Sequence, residues 1–182
     1  MKTVGIIGLG LLGTALADRL LSRGWFVTGF DVDADRRDHL IESGGVAVNV
    51  LSEIASFDFI LLSLPTSQVV AEVVSLLKPE LRSGQTIVDT TTGNPDDVES
   101  TAAELTELKV DYLDATVGGS SQQARDGDAI IMCGGSEDAF ARCRQLFDDL
   151  AVRTFYLGPT GNGSRMKLAV NLVLGLNRAV LA

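Results

Sequence analysis

A glycine-rich turn near the start of the chain constrains the fold more than any other feature. It follows an apolar stretch, Thr3 to Ile7, that predicts a strand, and it leads into an amphipathic stretch, Thr14 to Arg23, that predicts a helix. In this G-x-G-x-x-G pattern Gly8 allows a tight turn, Gly10 lets the backbone approach a diphosphate, and Gly13 lets the helix pack closely on the strand. The free N–H groups and positive dipole end of the helix favour an anion. The turn therefore predicts a dinucleotide site.

An acidic residue after the second predicted strand completes the dinucleotide pattern. Asp31 follows the apolar stretch Phe26 to Phe30, where a carboxylate can accept hydrogen bonds from the adenosine ribose hydroxyls. Asp33 adds a second negative charge, and the pair would repel the 2′-phosphate of NADP. Arg36 and Arg37, one turn later, could soften this preference. We therefore predict NAD over NADP as the cofactor. An FAD site is an alternative that nothing further along the sequence favours.

Composition and charge restrict the class of protein. The 182 residues are 46% hydrophobic and 21% charged, which is typical of a compact globular chain. A net charge of −9 without a basic cluster argues against a nucleic-acid partner, because an acidic surface repels phosphates. Cys133 and Cys143 have neither metal-ligand nor disulfide spacing, which indicates a reducing, cytoplasmic compartment and no metal site. No stretch reaches the ~18 uncharged apolar residues of a membrane span, so no membrane partner is predicted.

Strands and helices alternate along most of the chain. Such alternation predicts an α/β Rossmann fold with a doubly wound, mostly parallel sheet. Phe57 to Leu62 is apolar throughout, as expected of a central strand buried on both faces. Loops that follow parallel strands lie at one edge of the sheet, so we expect those at 8–13, 31, 64–66, 90–92 and 114–120 to share one crevice. The other predicted strands are 46–48, 86–89, 110–113, 129–133 and 152–157, and the other helices are 33–42, 68–77, 95–108 and 136–150, with a brief helical turn at 52–55 capped by Ser52.

The last segment, Ser164 to Ala182, has the composition of a helix that is apolar around most of its circumference. A helix of this kind must be buried by something. We therefore predict a dinucleotide-binding Rossmann domain at residues 1–163 and, at 164–182, the start of an interdomain helix whose all-α partner domain is absent from this chain. The apolar face from Leu168 to Leu181 is expected to favour self-association.

Two side chains are candidates for moving a proton during hydride transfer. His39, the only histidine, lies on the polar helix after Asp31, at the adenosine end, so a solvated surface residue is the better interpretation. Lys167 opens the apolar helix just after a glycine-rich loop, and Asn171 lies one turn further along the same face. Burial would lower the pKa of Lys167 and suit it to acid–base catalysis. A lysine that merely reaches to solvent at a helix start is the alternative.

These motifs, taken in order, resemble the N-terminal domain of the β-hydroxyacid dehydrogenase family, which includes 3-hydroxyisobutyrate dehydrogenase-like and 6-phosphogluconate dehydrogenase-like enzymes. The similarity covers essentially all 182 residues. The resemblance implies that Lys167 is the catalytic general acid/base, that Asn171 binds the substrate, and that Thr92 lies beside the nicotinamide. The matching motifs are Gly8–Gly13, Leu64-Pro65 with Val69, Asp89–Thr92 with Pro95, Asp114–Ser120, and Gly161–Lys167 with Asn171.

The resemblance also implies contacts with the substrate and the cofactor. Gly118, Gly119 and Ser120 correspond to the substrate loop. The loop departs from the family, because Thr116 replaces the usual proline, Gly118 a serine and Ser120 a glycine. Backbone N–H groups of such a loop can still hold a carboxylate, and Ser120 or Ser121 could supply a displaced hydroxyl. The implied cofactor contacts are Gly8, Leu9, Gly10, Leu11, Leu12, Gly13, Asp31, Leu64, Pro65, Val69 and Thr92.

The sequence leads to one main hypothesis and two alternatives. The main hypothesis is NAD-dependent oxidation of a small 3-hydroxy acid to its 3-oxo acid, or the reverse reduction, in a homodimeric or homotetrameric enzyme. A non-catalytic dinucleotide-binding module is one alternative, supported only by the missing serine at Gly118. An imine or semialdehyde reductase on the same architecture is the other, and Lys167 disfavours the imine reductase because related imine reductases generally replace this lysine. The 182-residue chain alone is expected to bind the cofactor but to turn over little or nothing.

Overall fold

The computed structural model describes residues 2–181 and forms one eight-stranded sheet with helices packed on both faces. Met1 and Ala182, the outer ends of the predicted first and last segments, lie outside the described residues. The strands are β1 (Thr3–Ile7), β2 (Phe26–Phe30), β3 (Val46–Ala47), β4 (Phe59–Leu62), β5 (Thr86–Asp89), β6 (Asp111–Gly118), β7 (Ile130–Gly134) and β8 (Arg153–Tyr156). The helices are α1 (Leu11–Ser22), α2 (Ala34–Glu42), α3 (Ser67–Leu77), α4 (Pro95–Thr106), α5 (Ser121–Asp126), α6 (Glu137–Arg142), α7 (Arg144–Leu150) and α8 (Asn162–Leu181), with 3₁₀ turns at Leu51–Ser56 and Lys78–Glu80.

The strand order is β3-β2-β1-β4-β5-β6-β7-β8. All neighbouring strands run parallel except β6 and β7, which are antiparallel. The chain winds outward from β1 to β3 and then crosses back to β4, so the strand order reverses between β1 and β4. A doubly wound sheet opens a crevice at such a point, beyond the carboxyl ends of the strands. The predicted α/β Rossmann fold is confirmed.

The central strands explain why the sheet is covered on both faces. In β4, Ile60 and Leu62 belong to one hydrophobic cluster, whereas Leu61 between them belongs to the other. Successive side chains of a strand point to opposite faces, so an uninterrupted apolar stretch needs helices on each side. The helices α3 and α4 supply one cover, and α1 with α7 supplies the other.

The largest correction to the sequence analysis concerns the segment from Asp114 to Gly118, which was expected to be part of a loop. The structure continues β6 through this segment. The reason is tertiary: Asp114 pairs with Gly134 and Gly118 with Ile130 across the antiparallel neighbour β7. The predicted crevice loop after this strand therefore begins only at Gly119.

Three smaller differences concern helices. The predicted helix 136–150 divides at Cys143 into α6 and α7, although no glycine or proline marks the break in the sequence. Ser52 does not cap the short turn at 52–55, because the turn begins earlier and Val50 occupies the N-cap. The last helix begins at Asn162, two residues before the predicted boundary, so the proposed division at 163 and 164 falls inside its first turn.

Helix α8 is anchored only at its beginning. Gly163 and Ser164 are its buried residues, whereas Leu172 is 65% exposed and Val180 is 84% exposed. Its apolar circumference therefore faces solvent over most of its length, as expected for a helix that needs a further cover. Among residues 2–181, no helix has the length and apolar content needed to cross a membrane.

Candidate functional site

A cavity of about 680 Å³ lies at the carboxyl ends of β1, β2, β4 and β5, in the crevice that the topology predicts. It is mostly lined by loops that follow these strands and by the start of α1. A shallower groove of about 440 Å³ continues from it and shares Pro65 and Thr92 with it. The groove reaches Leu168 on α8. Nine of the predicted cofactor contacts line the main cavity: Gly8, Gly10, Leu11, Leu12, Asp31, Leu64, Pro65, Val69 and Thr92.

The glycines of the first turn have three different surroundings. Gly8 has φ +91°, and a Cβ there would also overlap the carbonyl of Ser63. A Cβ on Gly13 would overlap the carbonyl oxygen of Gly8, because α1 packs directly against the turn. Gly10 has open space instead, with Arg36 Nη1 at 3.7 Å as the nearest neighbour of a Cβ. Gly8 and Gly13 therefore build the turn, while Gly10 leaves room for a ligand.

The start of α1 offers hydrogen-bond donors to the cavity. Gly10 is its N-cap and provides no side-chain cap, and its first turn contains no acidic residue. The N–H groups of a first helical turn need partners from outside the helix, and an anionic diphosphate fits both this need and the helix dipole. The residues present thus fit the diphosphate of a dinucleotide.

Asp31 holds the turn as well as facing the cavity. Its carboxylate is 5% exposed, and Oδ2 accepts a hydrogen bond from Leu9 N at 2.7 Å while Oδ1 accepts one from Asp33 N at 2.9 Å. Arg36 Nη1 lies 3.5 Å from Oδ2. Each carboxylate oxygen can accept a second hydrogen bond, so the predicted bonds to ribose hydroxyls are compatible with this network. Leu9 is therefore a buried support of the turn and, unlike the prediction, does not line the cavity.

Two loops form the opposite wall of the cavity. Leu64 N donates to the hydroxyl of Thr91 at 3.1 Å, which joins the loop after β4 to the loop after β5. Thr90 strengthens the same junction, because its hydroxyl donates to Leu62 O at 2.7 Å. Pro65 and Thr92 lie beside this junction on the cavity surface.

Asp114 fixes the start of α8. Its Oδ1 accepts a hydrogen bond from Gly161 N at 2.9 Å, and its Oδ2 accepts one from Ser164 N at 2.8 Å. Burial raises the pKa of this carboxyl above its usual value. The hydroxyl of Thr116 donates to Gly163 O at 3.0 Å, so the threonine that replaces the family's proline also ties the helix to β6. The helix start is thus attached directly to the sheet.

Lys167 lies one turn beyond this attachment. Its Nζ donates to the carbonyl oxygen of Val117 at 2.8 Å. The side chain is half-buried, and burial lowers its pKa from the ordinary lysine value. The direction of this shift agrees with the expectation from the sequence. The ammonium group is therefore held next to Gly118, at the end of β6.

The comparisons with known proteins agree with this geometry. A family model described as the NAD binding domain of 6-phosphogluconate dehydrogenase matches residues 3–158. The chain belongs to this family, among the β-hydroxyacid dehydrogenases. It is an NAD-binding Rossmann domain.

Three proteins represent the relatives. The chain is 34% identical to 2-hydroxy-3-oxopropionate reductase of Escherichia coli over 181 residues, which is 96% of this chain and 61% of that protein. A 3-hydroxyisobutyrate dehydrogenase of Mycobacterium tuberculosis with L-serine has a TM-score of 0.95 and 25% identity, over 99% of this chain and 62% of that one. An imine reductase from Pseudomonas sp. has a TM-score of 0.92 and 27% identity, over 98% and 63%. The chain thus spans about three fifths of the length of these relatives.

The predicted substrate residues Gly118, Gly119, Ser120 and Asn171 lie outside the main cavity. Gly118 ends β6, and Gly119 follows with φ +134°. Ser120 is the N-cap of α5: its hydroxyl accepts a hydrogen bond from Gln123 N, and its own N–H donates to Gln123 Oε1 at 2.9 Å. The Ser120 N–H is thus used in the cap and its hydroxyl accepts there, which leaves the hydroxyl hydrogen able to donate. The sequence analysis did not foresee this cap, although S-x-x-Q is a capping-box pattern.

The two remaining candidate side chains from the sequence, Asn171 and His39, are both exposed. Asn171 is exposed on α8, one turn after Lys167. His39 is exposed on α2, as expected of a solvated helix residue. Asp89 and Tyr112 form a buried hydrogen-bonded pair beneath the cavity that no sequence motif singled out as a pair, because the two residues meet only through the pairing of β5 and β6.

Proposed function

We propose that this chain is the cofactor-binding part of an oxidoreductase that interconverts a small 3-hydroxy acid and its 3-oxo acid. The observation that carries the proposal is Lys167, which is half-buried with a lowered pKa beside a glycine loop and next in the chain to Leu168, a residue of the groove that continues from the NAD cavity. The β-hydroxyacid dehydrogenase membership supports it. The dehydrogenase name of the Mycobacterium relative and the reductase name of the Escherichia relative support the two directions of one reaction.

Each part of the site has a role in this proposal. NAD, when bound, accepts or supplies the hydride. The turn from Gly8 to Gly13 and the start of α1 hold its diphosphate, and Asp31 orients the adenosine ribose. The neutral amine of Lys167 takes the proton of the substrate hydroxyl as the hydride leaves the substrate carbon, and the ammonium returns it in the reduction. Burial lowers the pKa of Lys167, which favours the neutral amine that the oxidation needs.

The substrate carboxylate is proposed to bind at Gly119 and Ser121, with Asn171 completing the site. The N–H of Ser120 is used in the α5 cap, so Ser120 can contribute only the hydrogen of its hydroxyl, which accepts in that cap but does not donate there. Because Gly118 lacks the hydroxyl of the family's usual serine, the proposed carboxylate contacts are fewer by one side-chain donor. We also retain the division into a Rossmann domain at 1–163 and an interdomain helix at 164–182. A helical domain that covers α8 and forms a dimer or tetramer is part of the proposal, as is a cytoplasmic location.

NAD is proposed over NADP on the charges beside the adenosine ribose. Asp31 and Asp33 lie there, and the guanidinium of Arg36 is 3.5 Å from a carboxylate oxygen of each, so it balances them and is not a free phosphate ligand. The test compares the dissociation constants of NADH and NADPH by fluorescence titration of this chain. We expect NADH to bind at least about tenfold more tightly, which corresponds to about 1.4 kcal/mol. Equal or tighter NADPH binding contradicts the assignment.

The test of the reaction replaces Lys167 in the protein that carries the covering domain. Lys167→Ala should lower the turnover number by about 10²- to 10⁴-fold, since that is the usual contribution of a general acid/base. Lys167→Arg is the matched variant, because arginine keeps the charge but does not release its proton. Both variants should bind NADH as the parent does. Turnover within tenfold of the parent in Lys167→Ala would remove the lysine from the mechanism.

An imine reductase is a second candidate, favoured by the Pseudomonas structure. A parallel panel of small hydroxy acids with NAD and of cyclic imines with NADH separates the two. We expect turnover with a hydroxy acid, because Lys167 is present. Turnover of imines alone would favour the reductase, and tight NADH binding without any turnover would favour the non-catalytic module.

A further inference from the structure

We propose that Asp89 is a positioning residue that sets the nicotinamide-side wall of the cofactor cavity through Thr91 and Leu64. The inference rests on the NAD-binding assignment and is independent of the substrate. Asp89 itself does not line the cavity, whereas Thr91 and Leu64 do.

The orientation of the dinucleotide follows from the order of the strands. Asp31 follows β2, and the glycine turn follows β1. A dinucleotide with its adenosine at Asp31 and its diphosphate at the start of α1 must extend its other half toward β4 and β5. The loops that carry Leu64 and Thr91 therefore face the nicotinamide half.

A continuous set of hydrogen bonds connects three strands beneath this wall. The hydroxyl of Tyr112 on β6 donates to Asp89 Oδ2 at 2.5 Å, and Thr91 N donates to Asp89 Oδ1 at 2.9 Å. The Thr91 hydroxyl accepts the hydrogen bond from Leu64 N at 3.1 Å. A displacement of Asp89 would thus move both loops of the wall.

Because Asp89 and Tyr112 are buried, the hydrogen bonds between Tyr112, Asp89 and Thr91 have to keep their geometry. Asp89 is 2% exposed and Tyr112 is 5% exposed. A buried carboxyl without partners is costly, so its donors have to stay in place. Burial raises the pKa of Asp89 to about 6, and the hydrogen bonds from Thr91 and Tyr112 oppose this rise. The other charged group that faces Asp89 is Asp114, its neighbour on β6, which raises the pKa further.

A second attachment keeps the loop folded when Thr91 is changed. Thr90 N and the Thr90 hydroxyl both bond to Leu62 O, at 2.8 and 2.7 Å. Removing the Thr91 hydroxyl should therefore shift the wall without unfolding it. The effect belongs to the nicotinamide half alone, because the bonds of Asp31 and of α1 are untouched.

The experiment measures dissociation constants of NADH and of ADP-ribose for variants of this chain. Thr91→Val removes the hydroxyl and keeps the volume, and we expect NADH to bind about five- to tenfold more weakly, as for the loss of one hydrogen bond. ADP-ribose, which lacks the nicotinamide, should bind within twofold of the parent. Thr91→Ser restores the hydroxyl and should restore NADH binding. Thr101→Val is the matched control, since Thr101 is also buried but donates within α4.

Tyr112→Phe gives an independent test. It removes one donor of Asp89 without touching the wall itself, and we expect a weaker loss of NADH affinity with ADP-ribose again unchanged. The emission maximum of bound NADH should shift in both variants, since it reports the surroundings of the nicotinamide. Equal losses for NADH and ADP-ribose, or no loss in Thr91→Val, would overturn the proposal. These measurements report cofactor binding and not turnover. They therefore test the role of Asp89 even if the Lys167 experiment contradicts the proposed reaction.

Discussion

The two ends of the site are built differently. At the cofactor end the proposed diphosphate ligands are backbone N–H groups, with the Asp31 carboxylate beside them, and a Cβ at Gly8 or Gly13 would overlap backbone atoms. At the α8 end the proposed functional groups are side chains, those of Lys167 and Asn171, on a helix that is buried only in its first turn. Cofactor binding therefore depends on backbone that is tightly packed within this chain. The proposed chemistry depends on a helix whose remaining surface is exposed, so we expect substitutions at the two ends to have different effects.

The largest effect is expected for Gly13→Ala. A Cβ at this position overlaps the carbonyl oxygen of Gly8, and both atoms belong to rigid backbone. The unfolding free energy should fall by about 3 kcal/mol or more, as in severe overpacking, and NADH affinity should fall about a hundredfold or more. Urea unfolding and NADH titration measure both. Gly24→Ala is the control: that residue has φ +78° but no neighbour within 4 Å, so it should lose stability without a comparable loss of binding.

A pH experiment isolates the contribution that the buried carboxyl of Asp89, beneath the cofactor wall, makes to the stability of the fold. The pKa of Asp89 is raised by burial from 3.8 to about 6, so the folded state binds its proton more tightly than the unfolded state. Its contribution to stability is therefore complete below about pH 4 and is lost as the pH rises through 6. At about 1.4 kcal/mol per pKa unit the loss is about 3 kcal/mol.

Asp89→Asn should abolish this dependence. The unfolding free energy of the parent, measured relative to that variant by urea titration at intervals from pH 4 to 7, should decline across this range. Asp149 is a useful internal contrast, since hydrogen bonds from Lys2 and Trp25 outweigh the effect of its burial and hold its pKa below the usual range. Its contribution is therefore present above about pH 4 and is lost in acid. If the difference in unfolding free energy between the parent and Asp89→Asn stayed constant with pH, the raised pKa assigned to Asp89 would be contradicted.

The sequence predicted what depends on local spacing. The turn from Gly8 to Gly13, the strand that ends at Phe30 and the acid at Asp31 were all located correctly, because residue order alone determines that motif. The lowered pKa of Lys167 was also foreseen, since it follows from a charged residue on an apolar helix start.

What the sequence did not predict depends on distant partners. The extension of β6 to Gly118 is paired with β7 alongside it, and the five residues from Asp114 to Gly118 are too few for their polar–apolar alternation to identify a strand without that partner. The hydrogen bond from Leu9 N to Asp31 joins two ends of one motif, but only the folded turn brings them within 2.7 Å. The pairing of Asp89 with Tyr112 depends on the register of β5 and β6.

Asp114→Asn should have an intermediate effect at the other end of the comparison. An amide replaces one of the two acceptor oxygens that hold Gly161 N and Ser164 N, so one buried N–H loses its partner. We expect a loss of about 2 kcal/mol, measured by urea unfolding, with faster hydrogen exchange at Ser164. NADH affinity should stay within threefold. Glu99→Gln is the control, because its ion pair with Arg165 is half-exposed on both sides and should contribute less than about 1 kcal/mol.

The smallest expected effect is at Gly175, in the open part of α8, where the same glycine-to-alanine change that damages the cofactor turn should be favourable. No atom lies within 4 Å of a Cβ at this position, and the residue is in a helix interior, so alanine should stabilise the local helix by up to about 1 kcal/mol. Protection of the amides from 172 to 181 against hydrogen exchange should rise about fivefold, with NADH affinity unchanged. A loss of protection, or a change in binding, would mean that another surface, such as a second copy of α8, packs closely on this face. That result would show the α8 end to be as enclosed as the cofactor end, and the contrast between the two would then have to be abandoned.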